Sequence, residues 1–331
     1  MSKKLAVAIL NWNGKHWLEK FLPGVVRFSP DAEVYVIDNL STDGSIEYLQ
    51  SRFPSVKIIR NNKNYGFAGG YNEGLKNIDH EFYCLLNSDV EVTENWIAPV
   101  LELFEKNPDI AAIQPKILSY DNKSHFEYAG AAGGLIDNLG YPYCRGRVFD
   151  DLEEDKGQYD DETEIFWASG CCFFIRSKDF REQRGFDDRF FAHQEEIDLC
   201  WRLINSGKKI FYTGKSKIYH VGGGTLNKQS AQKTYLNIRN NLSMMLKNLP
   251  FPRLVWLIFF RLCLDGIAGV YLGYKNGLSH LWAVVRAHFG FYGQAAGTWE
   301  LRQKYQKKQF YQSKWLIFKY FTGNKTNIVN K

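Results

Sequence analysis

The chain has 331 residues, a formal charge of +6, and 45% hydrophobic against 24% charged residues. That balance excludes a disordered or low-complexity polypeptide, and the length holds one large domain with an accessory segment, or two domains. The six cysteines (Cys84, Cys144, Cys171, Cys172, Cys200 and Cys263) stand in apolar surroundings or alone, without zinc-ligand spacing. This argues against a disulfide-stapled scaffold and for reduced thiols in a cytosolic protein.

Met1-Ser2-Lys3-Lys4 runs at once into an apolar stretch too short and too quickly polar for a signal peptide. Leu5 to Leu10 reads as a strand ending in Asn11-Trp12-Asn13-Gly14, and Lys15 to Phe28 as a helix with Trp17, Leu18, Phe21, Leu22 and Val25 on one face. A second strand, Glu33 to Ile37, ends at Asp38-Asn39-Leu40-Ser41-Thr42-Asp43-Gly44. A helix over Ser45 to Phe53 and a third strand over Val56 to Ile59 follow. Asn61-Asn62-Lys63-Asn64-Tyr65-Gly66 leads into a glycine-containing helix, Phe67 to Lys76. Phe82 to Leu86 is an apolar run of strand length that stops at Asn87-Ser88-Asp89, with a helix over Trp96 to Glu105 and a strand over Ile110 to Ile117 beyond it. Alternating strands and helices predict an α/β fold around a parallel sheet.

Three strands thus end in polar turns, at Asn11 to Asn13, Asp38 to Asp43 and Asn87 to Asp89. In a parallel sheet those ends share one edge, where ligands of open α/β folds bind. Asn87, Ser88 and Asp89 offer oxygens suited to a hard divalent cation carrying a diphosphate; the structural alternative is a turn or helix cap. Asp38 can accept a hydrogen bond from a base N–H, whereas Asp43-Gly44-Ser45 reads mostly as a cap. Gly66, Gly69, Gly70 and Gly74 would let backbone approach a ligand closely.

Residues 119 to 161 read as loop with short strands, and the acidic run from Asp150 to Asp161 as solvated. Glu164 to Ile175 is strand-like but interrupted by Trp167-Ala168-Ser169-Gly170, which is either a bulge or room for a bulky ligand. Phe190 to Arg202 places Glu195, Glu196 and Asp198 at the start of an amphipathic helix with Ile197, Cys200, Trp201 and Ile204 inward. The acids are dipole-stabilising caps or a carboxylate base held near a metal. His193 is a phosphate ligand or an ordinary loop residue. Lys209 to Thr213 is a strand, and His220, before Gly222-Gly223-Gly224-Thr225, is a candidate metal ligand.

These motifs, with Asn64-Tyr65-Gly66-Phe67-Ala68-Gly69-Gly70-Tyr71-Asn72 and Leu85-Leu86-Asn87-Ser88-Asp89 among them, resemble a family 2 glycosyltransferase with the GT-A fold, in its rhamnosyltransferase-like branch, over roughly Leu5 to Leu246. The resemblance implies an inverting transfer from a nucleoside-diphosphate sugar, dTDP-rhamnose or a UDP-sugar, to a hydroxyl of a glycan or polyprenyl-diphosphate-linked acceptor in cell-surface polysaccharide synthesis. Uracil and thymine present the same edge, so Asp38 does not separate the two donors. The resemblance further implies that Asn11, Asn13, Asp38, Asn64, Gly66, Gly69, Asn72, Asn87 and Ser88 bind the donor. Asp89 and His220 would hold Mg2+ or Mn2+. Glu196 or Glu195 would be the base, at positions where the family has Glu-Asp. Trp167, Gly170 and Asp198 would bind the acceptor or support the site. Asn87 stands where a strict Asp-x-Asp has its first acid. The alternative is an inactive scaffold or partner subunit of the same fold.

Residues 1–248 are therefore expected to form the transferase domain, and residues 249–331 a helical segment. Leu254 to Leu272 is strongly apolar but carries Arg261 and Asp265, whose cost at a bilayer centre argues against a spanning helix. An amphipathic helix in the membrane interface fits, with Leu278 to Phe291 similar; a cap on the domain or a homodimer interface is the alternative. From Arg302 onward, basic residues (Lys304, Lys307, Lys308, Lys314, Lys319, Lys325 and Lys331 among them) interleave with aromatics. Such a tail favours an anionic membrane surface or a nucleic acid. The acids at the sheet edge repel a phosphate backbone, which argues for the membrane. The expected location is cytoplasmic, peripheral on the inner face of the cell membrane.

Overall fold

The computed structural model describes residues 3–222 and 230–322. Gly223, Gly224 and Thr225, and the tail residues Lys325 and Lys331, lie outside the described residues.

The first half is a run of β1 (Leu5–Asn11), α1 (Lys15–Phe28), β2 (Ala32–Asp38), α2 (Ser45–Arg52), β3 (Lys57–Arg60), α3 (Gly66–Leu75) and β4 (Phe82–Asn87). The crossover helices make β4, β1, β2 and β3 parallel neighbours in that order. Asn11 is in register with Asp38, and Leu10 with Asn87, so the three polar strand ends lie side by side.

The second half departs from a uniformly parallel sheet. It comprises β5 (Val90–Val92), α4 (Ala98–Lys106), β6 (Ile110–Ser119), four short strands β7 (Gly134–Ile136), β8 (Pro142–Cys144), β9 (Arg147–Val148) and β10 (Asp151–Leu152), then β11 (Glu162–Ile165), β12 (Cys172–Arg176), α5 (Ser177–Glu182), α6 (Glu195–Asn205) and β13 (Lys209–His220). Strand β12 enters between β4 and β6 and runs antiparallel to both, because no crossover helix turns the chain round before it. Its beginning therefore falls at the ends of the parallel strands, which brings Gly170 and Cys171 to the polar edge. Strand β13 runs parallel to β6, and its last residue, His220, faces Val90 across the antiparallel β5 pairing. The result is a mixed nine-stranded sheet flanked by helices, with a small four-stranded sheet from β7 to β10 beside it.

Alternate strand residues feed two cores. Leu5, Val7 and Ile9 face α1 and α4 through Leu18, Leu22, Val100 and Phe104, whereas Ala6 and Ala8 share the opposite core with Tyr71, Leu199 and Trp201. The acidic run is less solvated than its composition suggests. Lys116 is buried and takes Asp155 at 2.9 Å and also Asp160, while Arg145 holds Asp161 at 2.8 Å. An unpaired buried ammonium would cost more than ordering that loop.

The remaining elements are α7 (Ala231–Asn248), α8 (Phe251–Asn276), α9 (Leu278–Glu300) and α10 (Leu316–Phe321). Helix α7 docks on α6 through buried charge. Lys247 Nζ lies 2.7 Å from Asp187 and 2.9 Å from Asp198, whose carboxylate also accepts Arg202 Nε at 2.9 Å and Asn248 Nδ2 at 2.9 Å. Asp198 thus ties two helices together and does not cap its own. Substituting Lys247→Met leaves Asp187 and Asp198 sharing Arg189, Arg202 and Asn248 with no central cation. We expect a loss of about 3–5 kcal/mol of stability, read as a lowered urea midpoint with unchanged slope.

Candidate functional site

The parallel strand ends build one wall. Asn11 donates to Asp38 Oδ1 at 3.1 Å and to Ser41 Oγ at 3.0 Å, and the Ser41 amide donates to Asp38 Oδ2 at 2.9 Å. Asp38 is fully buried, with each oxygen already holding a protein donor. Asn11 and Asp38 thus hold the turn together, and Asn11 Oδ1 has no protein partner. Asn13, exposed and left-handed at φ +51°, receives the Thr42 amide at 2.8 Å and presents its edge to solvent beside Trp12. Asp43 accepts the Lys15 and Ser45 amides and so ties the starts of α1 and α2, as a cap would.

The expected glycine-lined approach is filled from within. Gly66 has φ +73°, and a Cβ there would stand 2.5 Å from the Phe191 ring; at Gly69 it would stand 3.0 Å from Tyr65 Cβ. Gly70 and Gly74 instead bring α3 against Asn39 and Ile37 of the neighbouring strand and turn. Asn64 accepts the Gly66 amide at 2.8 Å. Asn72 grips the Phe186 backbone at 2.8 and 2.9 Å and also bonds Asp188, so its amide is spent on the fold. Gly66, Gly69 and Asn72 thus take part in packing α3 and the turns beside it. Asn13, Asn87 and Ser88 keep surface toward the cleft.

The second wall is charged. Asp89 Oδ1 lies 3.3 Å from His220 Nε2, Asn87 Nδ2 lies 3.5 Å from the same nitrogen, and Glu127 Oε2 lies 3.2 Å from His220 Nδ1. All three charged residues are buried. Gly222, at φ +74°, permits the last contact, since a Cβ would meet Glu127 Oε1 at 2.6 Å. Burial would lower the His220 pKa, but Cys171, Glu127 and Asp89 outweigh it and raise it well above the usual imidazole range. Burial likewise would raise Asp89, and His220 outweighs it, leaving that carboxyl lowered. A place that holds a proton between two buried acids is one that asks for positive charge. A carboxylate and an imidazole sharing one locus, with a second acid behind the imidazole, fit a divalent cation that takes its other ligands from a diphosphate and water. Glu127 was not singled out from sequence; it lies in the aperiodic stretch after β6, and its only signal is a lone acid among apolar and small neighbours.

The third wall is the start of α6. The Asn87 amide donates to Cys171 O at 2.9 Å, so the metal-competent corner and Gly170 adjoin through one peptide link. Gly170 faces Glu196, whose Cδ would be 3.8 Å from a Cβ at that position. Glu195 is buried and Glu196 is half-buried, and each keeps a carboxylate oxygen, Oε2, with no protein partner. Burial, then the Glu196 charge, raises Glu195 well above the ordinary range; burial pushes Glu196 up to about 7. Both carboxyls thus lose their protons less readily than free ones. Trp167 does not reach this opening. Its indole donates to Leu135 O at 2.9 Å and its ring covers Gly134, so it supports the wall from behind. His193 is half-buried, its pKa lowered to about 4 by desolvation and then by Lys233, and its Nε2 has no protein partner.

The comparisons with known proteins agree with this architecture. The model of "Glycosyl transferase family 2" matches residues 6–184, more than half of the chain. An N-acetylglucosaminyl-diphospho-decaprenol L-rhamnosyltransferase of Mycobacterium tuberculosis is 24% identical over 239 residues, covering 66% of this chain and 76% of that protein. A low-salt glycan biosynthesis hexosyltransferase of Haloferax volcanii is 23% identical over 248 residues, covering 72% and 75%. Among solved structures, GalNAc-T7 with UDP, GalNAc and Mn2+ superposes with a TM-score of 0.60 at 18% identity, over 75% of this chain and about half, 48%, of its own. The mixed sheet flanked by helices is a GT-A fold. The chain belongs to glycosyltransferase family 2.

Proposed function

We propose that this glycosyltransferase moves a sugar, with inversion, from a nucleoside diphosphate (dTDP-rhamnose or a UDP-sugar) to a hydroxyl of a lipid-linked glycan acceptor. The observation that carries the reading is the edge on which Asp89 and His220 converge, joined through the Asn87–Cys171 backbone bond to Gly170, which faces Glu196. The rhamnosyltransferase similarity supports a polyprenyl-diphosphate-linked acceptor, and the UDP and Mn2+ of the structural neighbour support a diphosphate held through a divalent ion.

In this reading Asn13, Asn87 and Ser88 orient the donor at the strand ends. Asp89 and His220 would hold Mg2+ or Mn2+, with Glu127 fixing the imidazole. The ion would supply neutralisation of the charge developing on the departing diphosphate. Glu196, the accessible member of the acid pair, takes the acceptor hydroxyl's proton as that oxygen attacks the anomeric carbon from the face opposite the leaving group. Glu195 keeps its own proton and donates to Glu196. Gly170 leaves room for the acceptor against the backbone.

In the same reading helices α8 and α9 would hold this chemistry at a membrane surface. Helix α8 is long and apolar enough to cross a membrane by length and composition, but Arg261 and Asp265 turn inward, 2% and 3% exposed. Arg261 donates to Leu139 O at 2.8 Å, stacks 3.5 Å over the Tyr141 ring and reaches Asp265 at 3.4 Å. The outward face carries Trp256 at 76% exposure and Tyr274 at 93%, together with Phe251, Val255, Phe259, Ile267 and Val270, and α9 adds Trp282, Phe289 and Tyr292. Charges inward and aromatics outward suit a hairpin lying in the interface of an anionic, cytoplasmic leaflet. No nucleic-acid partner enters this reading. A homodimer would bury the same face.

Three outcomes are expected. First, UDP or dTDP with Mn2+ raises the melting temperature, and Asp89→Ala abolishes the metal-dependent part; no shift with any nucleoside diphosphate in folded protein would favour the inactive scaffold. Second, Glu196→Gln lowers kcat by about 10²–10⁴-fold. Because the base must be ionised, wild-type kcat falls as pH drops through about 7, and the variant's residual rate loses that limb. Third, Trp256→Ser with Phe259→Ser weakens sedimentation with anionic vesicles by at least about ten-fold, since each aromatic contributes ~1.5–3 kcal/mol when buried. Turnover of a water-soluble acceptor is unchanged. A dimer-to-monomer shift with intact vesicle binding would assign the face to self-association instead.

A further inference from the structure

The segment that delivers the acid pair is held in a conformation its residues do not favour. Phe191, His193 and Gln194 have φ of +63°, +70° and +72°, three non-glycine residues in the left-handed region within four positions. Gln194 is the residue before α6, where an extended backbone is usual. Such a turn persists only where its surroundings over-determine it. Gln194 O accepts the Asp198 amide at 2.9 Å within the helix and Phe190 O the Ala192 amide at 2.7 Å, whereas the carbonyls of Ala192 and His193 need donors from elsewhere.

Those donors come from one face of α7. Asn240, fully buried, directs Nδ2 at Phe190 O (3.0 Å), Ala192 O (2.9 Å) and His193 O (2.7 Å). Its Oδ1 accepts Arg239 Nε at 2.9 Å and Nη2 at 2.7 Å, which fixes the amide with its donors toward the turn. Arg239 Nη2 also reaches Arg189 O at 2.9 Å and Phe190 O at 3.2 Å. Asn237 and Asn241 hold the Gln194 side chain at 3.4 and 3.3 Å. On the other side, Phe191 O accepts the Phe67 and Ala68 amides at 2.7 and 3.2 Å. Positions 237, 240 and 241 share one helical face, and asparagine is otherwise a poor choice in a helix interior.

We propose that Asn240, with Arg239 fixing its amide, is a positioning residue for sugar transfer: it holds the left-handed turn 190–194 that sets the place of Glu195 and Glu196. The inference rests on the transferase reading above for its kinetic consequence, and on the turn alone for its structural one. Replacing the side chain leaves the strand-end wall, Asp89 and His220 intact. It frees the turn to relax toward commoner backbone angles, which moves the carboxylates by a fraction of an ångström to an ångström. A displacement of that size costs on the order of 100-fold in rate.

The test compares the full-length wild type with Asn240→Ala, with Asn240→Asp, which keeps the shape and removes the donors, and with Leu236→Ala, a packing change of the same helix at a residue that gives the turn no hydrogen bond. Amide hydrogen exchange over residues 190–196 is expected to speed up by at least about ten-fold in both Asn240 variants relative to Leu236→Ala, after correction for global stability. Donor KM with Mn2+ should stay within about two-fold while kcat falls on the order of 100-fold, a loss confined to the transition state. Unchanged exchange over 190–196, or a kcat no lower than that of Leu236→Ala, overturns the proposal. So does a loss that tracks the melting temperature and weakens donor binding equally, which is what a merely structural residue gives. If the wild type turns over no nucleotide sugar, the transferase reading fails, and the exchange data alone decide whether Asn240 holds the turn.

Discussion

A carboxylate taken out of water must be met by charge or by a proton, because its desolvation costs several kcal/mol that packing does not return. This molecule applies that constraint at three places around one edge of its sheet, with a different answer at each. Asp89 and Glu127 are met by an imidazole. Asp187 and Asp198 are met by a lysine and two arginines. Glu195 and Glu196 are met by each other and by backbone amides, with burial raising both. The second arrangement is closed and holds helices together. The first is charge-balanced but exchangeable, and the third is left unbalanced, which is the condition for moving a proton.

The strands and helices of the first half were legible to within a residue or two, because each is a run of one period bounded by a polar turn. The parallel neighbourhood of Asn11, Asp38 and Asn87 followed from that alternation. What was not legible is everything that depends on partners far away in sequence. The antiparallel entry of β12 needed knowledge of which strands flank it. Glu127 sits in a stretch without periodicity, and only the β13 register brings His220 to it.

The glycines illustrate the same limit. Their spacing signalled close approach of backbone, and Phe191, Tyr65 and Ile37 of this chain lie within that approach. A residue type reports that space is short; it does not report who takes the space. Conversely, residues 237–241 were not singled out in the sequence, yet Arg239, Asn240 and Asn241 are buried against the segment that carries the acids.

The interlocking of the last helices with the body has a consequence for how such a chain can be divided in evolution. Arg302 bonds the carbonyls of Leu246 and Leu249, Phe310 stacks near Trp201 at 4.9 Å, and a Cβ at Gly290 or Gly297 would press on Tyr235 or Arg189. The apolar hairpin therefore shares its contacts with the very helix that braces the acids. A hairpin of this kind cannot be exchanged for another by recombination at the end of the α/β body alone. Whatever replaces it must bring a compatible seventh helix, so the heritable module is the sheet, that helix and the hairpin together.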